Sequence, residues 1–113
     1  MGRSLVGLFV LVLVALVALA ACGAVPLPVA GPADVSRAAV RWPGTSAGDL
    51  ARGRHLYVAH CASCHSPVLP HQVAAAAWPG HIVEMKERAH LTVEEADLVT
   101  RYLVTMSSVR ASR

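Results

Sequence analysis

Gly53-Arg54-His55-Leu56-Tyr57-Val58-Ala59-His60-Cys61-Ala62-Ser63-Cys64-His65 runs from a helical pattern straight into a paired-cysteine motif. Leu50, Gly53 and Tyr57 recur at i, i+3 and i+7, which predicts one face of a helix over Asp49–His60. Ser46 suits its N-cap, with Asp49 in the first turn. A glycine inside a helix costs about 1 kcal/mol against alanine. Gly53 therefore needs an offset, and close approach of a second helix is the usual one. The clearest second helix spans Thr92–Ser107. Thr92-Val93-Glu94-Glu95 is a capping box. Val93, Ala96, Val99, Leu103 and Met106 form its apolar stripe, with Tyr102 beside it. Arg101 follows Asp97 at i+4, a weak surface pair. The simplest packing sets Tyr102 against the gap at Gly53.

The motif itself, Cys61-Ala62-Ser63-Cys64-His65, is C-x-x-C-H, the attachment pattern of c-type haem. Its spacing has a chemical reason. Two thiols add to the two vinyl groups of one porphyrin edge, and the adjacent His65 then lies beneath the iron as proximal ligand. Three other readings compete. A thioredoxin-like pair sits in a strand–helix unit, and no strand pattern precedes Cys61. Structural zinc needs four ligands, so His would have to complete one Cys pair. A plain disulfide suits an oxidising compartment but leaves His65 unexplained.

Composition sharpens the choice. The 113 residues are 55% hydrophobic, 15% charged and 4% aromatic. Such a chain is too apolar for disorder and too poor in charge for a soluble domain of its full length. The excess lies in Leu5–Ala21, behind Arg3, as the n- and h-regions of an export signal over residues 1–21. Leu19-Ala20-Ala21-Cys22 resembles the lipobox of bacterial lipoproteins, which implies lipidation of Cys22. The alternative is an uncleaved anchor helix, for which 17 residues are only just long enough. Both deliver the remainder outside the cytoplasm, on the periplasmic side of a membrane. Gly23, rather than an acidic residue, follows Cys22 and points to the outer membrane. Residues 22–45 hold Pro26, Pro28, Pro32 and Pro43, which predicts an extended Pro/Ala-rich linker. The folded part is 46–108, with a tail over 109–113. A core that small is marginal alone, so a cofactor, metal or disulfide is expected to complete it. The net charge of +3 comes from scattered residues without a Lys/Arg block, so nothing points to nucleic acid.

Gly53-x-x-x-Tyr57-x-x-x-Cys61-Ala62-Ser63-Cys64-His65, followed by a last helix containing Tyr102-Leu103, resembles class I cytochromes c. The likeness covers about residues 46–108. It implies an all-α domain around one covalent haem c, with its first and last helices crossing at such a glycine and aromatic pair. It also implies an axial Met shortly before the last helix. Trp78–Ala89 is predicted as a short helix, with Pro79 in the first turn and Ile82, Met85 and Ala89 on one face. Met85 is the candidate sixth ligand. His81, His90, His71 and Met106 are rivals, and Met85 as mere core filler is the bland reading. Pro67 or Pro70 is expected to offer a carbonyl to the second ring nitrogen of His65.

A His/Met-ligated iron has no open position, which implies one-electron transfer rather than enzymatic catalysis. The expected partners are a redox donor, a redox acceptor and a membrane. Two alternatives stay open: an accessory haem subunit of a larger oxidoreductase, and a sensor or catalytic haem site with an exchangeable sixth position.

Overall fold

The computed structural model describes residues 2–21, 27–61 and 66–110; side chains are described within these except at 17–21 and 110. The fold is all-α, with no strand among the described residues. Five α-helices follow one another: α1 Gly2–Ala21, α2 Pro32–Arg41, α3 Ala47–Cys61, α4 Trp78–Met85 and α5 Val93–Ser107. Short 3₁₀ turns at Pro70–Gln72 and Ala75–Ala77 lead into α4.

α3 and α5 form the frame. Ser46 caps α3 reciprocally: its Oγ accepts from the Asp49 amide at 3.1 Å, and the Asp49 carboxylate accepts from the Ser46 amide at 2.8 Å. Those bonds hold the Asp49 carboxyl below the usual carboxylate range. Thr92 caps α5 in the expected box, with Glu95 N–H donating to Thr92 Oγ1 at 3.1 Å and Thr92 N–H to Glu95 Oε2 at 3.0 Å. The two helices cross at Gly53. A Cβ there would sit 2.2 Å from the Leu98 carbonyl oxygen and 3.0 Å from Tyr102 Cβ. The absent side chain lets the backbones meet, and the contact offsets the propensity cost of glycine. Leu50, Val99, Tyr102 and Leu103 are fully buried around this crossing. Arg101 pairs with Asp97 at 2.7 Å, as the spacing predicts.

Three expectations need correction. Val93 is 67% exposed and is no part of the apolar stripe; it is the first residue of α5, ahead of the turn that packs. The helix starting at Trp78 stops at Met85, because residues 86–90 close into turns. Residues 27–45 of the expected linker are not an extended spacer. Pro32 occupies the helix start, where its missing N–H is harmless, and the Asp34 carboxylate accepts from Gly31 N–H at 2.7 Å. Proline at this position starts a helix instead of breaking one. The segment is also bound to the frame. Leu27 and Ala38 are buried. Tyr102 donates its hydroxyl to the Pro28 carbonyl at 2.7 Å, and the Arg54 guanidinium donates to the Leu27 carbonyl at 3.2 Å. Trp42 lies under the guanidinium of Arg41 at 5.0 Å and that of Arg101 at 6.0 Å.

α1 stands apart in character. Leu5, Phe9, Leu13 and Leu16 are each more than half exposed. Its apolar stretch is described with side chains only as far as Leu16. Among the described residues, no helix is long and apolar enough to cross a membrane.

Candidate functional site

The end of α3, α4 and residues 68–73 line an apolar cavity of about 250 Å³ that opens on one side to solvent. Helical periodicity selects its walls. Tyr57, His60 and Cys61 stand at i, i+3 and i+4 on the last turn of α3, and Trp78, His81, Ile82 and Met85 at i, i+3, i+4 and i+7 on α4. Val68 and Val73 come from the intervening segment, Arg88 and Ala89 from the turns after α4.

Hydrogen bonds fix these walls. Tyr57 donates to the Val68 carbonyl at 2.7 Å, and burial pushes its phenol up to about 12. His60 Nδ1 lies 2.9 Å from the Ala89 carbonyl, tying α3 to the turns after α4. Buried Trp78 packs edge-on to Tyr57, with centroids 6.2 Å apart. Its indole N–H donates to the Pro70 carbonyl at 3.0 Å and to Ser107 Oγ at 2.7 Å. Ser107 Oγ also donates to the Pro70 carbonyl, at 2.6 Å. The same Ser107 hydroxyl also reaches the Leu103 carbonyl, at 2.6 Å. The pairing expected between His65 and Pro67 or Pro70 falls outside the described residues, because it involves His65.

The structure separates the ligand candidates. Met85 is half-buried and lines the cavity. His81 lines it too from an exposed position, edge-on to Trp78. Met106 is 4% exposed, belongs to the core cluster and is not in the cavity wall. His71 and His90 are also absent from the wall. His90 instead occupies a left-handed turn, at φ 54°. Cys61 stands in the wall, whereas Cys64, His65 and the lipidation candidate Cys22 lie outside the described residues. His60 and Arg88, which no sequence motif singles out, also stand in the wall. Continuing the Tyr57 face by three residues would have placed His60 in the wall.

The wall chemistry fits a haem. Interiors normally hold few voids larger than a water, and a small domain has little core to spare. Here an apolar cavity lies beside the frame, lined by aliphatic and aromatic side chains, one thiol and one thioether, together with His60, His81 and Arg88. No family model, curated protein or solved structure matches the chain.

Proposed function

We propose that this protein is a membrane-tethered monohaem c-type cytochrome that transfers single electrons outside the cytoplasm through a His/Met-ligated haem. One observation carries the reading: Cys61, the first thiol of the C-x-x-C-H motif, and Met85 line the same apolar cavity. Haem c in that cavity supplies a one-electron iron couple. The chain does the remainder. Cys61 and Cys64 would hold the porphyrin edge as thioethers, and His65 and Met85 would be its two iron donors. With both donors in place, oxygen and peroxide would find no vacancy, which favours a carrier over an enzyme. The soft sulfur of Met85 favours the reduced metal and raises the potential. Val68, Val73 and Ile82 keep water from the cavity and disfavour the extra charge of the oxidised state. The Tyr57–Val68 and His60–Ala89 bonds brace the walls, so little moves when the charge changes. The exposed leucines and phenylalanine of α1 support an apolar head that is either removed with the signal or buried in a bilayer.

A second reading rests on His81, one turn before Met85 in the same wall: the sixth position exchanges between them, as in a sensor. Optical spectra of the haem-loaded protein and three variants decide. Met85→Ala is expected to turn a six-coordinate low-spin spectrum, with its weak far-red sulfur band, into one that shifts on adding carbon monoxide. His81→Ala and Met106→Ala should leave the band in place. Loss of the band in Met106→Ala alone overturns the ligand assignment, and its absence from the unmodified protein favours the exchangeable site.

A further inference from the structure

The docking of residues 27–45 changes what the membrane attachment does. This inference rests on the tethered reading above and deepens it by saying how the domain is held. We infer that the segment from Leu27 to Thr45 is a strap that holds the helical domain close to the bilayer.

The strap is fastened at three separate places. At its start, Leu27 is buried in the core, and its carbonyl accepts from the Arg54 guanidinium. Next, the Pro28 carbonyl accepts from Tyr102, a fully buried residue of α5. At its end, the Arg101 guanidinium of α5 lies 6.0 Å from the Trp42 ring and donates to Thr45 Oγ1 at 3.1 Å. Between these points, Ala38 is 1% exposed on the inner face of α2. A cation over an aromatic ring, a tyrosine bond and a buried leucine are not features of a spacer that swings.

Only residues 22–26 then separate the end of α1 from the first fastening. Five residues span at most roughly 17 Å, however they are arranged. Arg54 and Cys61 belong to one helix, and seven residues of helix rise about 10 Å. With the Arg54 side chain adding about 10 Å between strap and helix, the cavity wall at Cys61 lies within about 40 Å of the attachment point. A free linker over 22–45 would let the domain range much farther from the bilayer.

Two measurements on the full chain test this. The first is neutron reflectometry on a supported phospholipid bilayer. The domain's density should begin within about 20 Å of the headgroups. Insertion of a 20-residue Gly/Ser segment between residues 26 and 27 should move its mean position outward by about 15 Å. A wider gap in the unmodified chain, or no shift on insertion, overturns the strap while leaving the attachment standing. Absence of the protein from the bilayer overturns the attachment, and the strap's role at the membrane with it. The second is limited trypsin digestion. Arg37 and Arg41 should survive as long as Arg101 of α5. Rapid cutting at either, with 46–108 intact, overturns the strap whether or not a membrane is present.

Discussion

The α3–α5 crossing and the cavity beside it differ in one respect: the first is complete and the second is not. At Gly53 the backbones touch, and Leu50, Val99, Tyr102 and Leu103 are fully buried. Some 10 Å farther along α3, the walls at Cys61 and Met85 face a hollow. One helix thus serves a finished core with its middle and an unfinished one with its end. Side-chain packing holds the crossing together; the cavity is where we propose that the haem sits. Substitutions should accordingly act on stability at the crossing and on the bound group at the cavity.

The largest effect is expected at the closest contact. Gly53→Ala gains helix propensity but places a methyl group 2.2 Å from the Leu98 carbonyl oxygen. The helices must separate, at a cost of about 3 kcal/mol or more. Thermal unfolding should show collapse of the fold, and a wild-type melting temperature would mean that the crossing is looser than described. The two methionines come next. Met106→Ala empties a core site and should cost about 3 kcal/mol, whereas half-buried Met85→Ala should cost about 1 kcal/mol and act mainly on the spectrum. Denaturant midpoints of the pair check this, and reversed costs would exchange their roles.

A smaller effect concerns alkaline pH. Burial raises both Tyr57 and Tyr102 to about 12, from 10 when unfolded. Below pH 10 neither state ionises and the stabilisation is complete. Between pH 10 and 12 the unfolded chain ionises first, so stability falls by up to about 1.4 kcal/mol per pH unit for each tyrosine. Tyr57→Phe and Tyr102→Phe should each remove part of that slope in denaturant titrations. An unchanged slope in both would show that the phenols ionise normally. The smallest effect is a gain: His90 lies in the left-handed region, so His90→Gly should stabilise by up to about 1 kcal/mol. The haem spectrum should not move, and a changed axial band would restore His90 as a ligand.

The crossing was legible because its signals are local. A glycine at helical spacing from Tyr57, and a capping box ahead of a stripe holding Tyr102, fix two helices and the place where they meet. Met85 could be placed on a face with Ile82, but not in a cavity, because the segment at Val68 and Val73 carries no periodicity. The strap was misread for a physical reason. Prolines count as breakers by density, yet Pro32 stands at a helix start, and only position distinguishes the two. Its fastening depends on bonds between residues as distant as Pro28 and Tyr102, which no local pattern encodes. His90 in a left-handed turn was equally hidden, since that conformation normally signals itself by glycine.

Covalent haem at Cys61 and Cys64 is the claim on which the incomplete half depends. The full chain, expressed in a host that matures c-type cytochromes, should carry one haem that survives denaturing electrophoresis and gives a Soret band. Replacing both cysteines by alanine should abolish the stain and leave a chain that does not fold. A stable, colourless helical protein from either sequence would contradict the account.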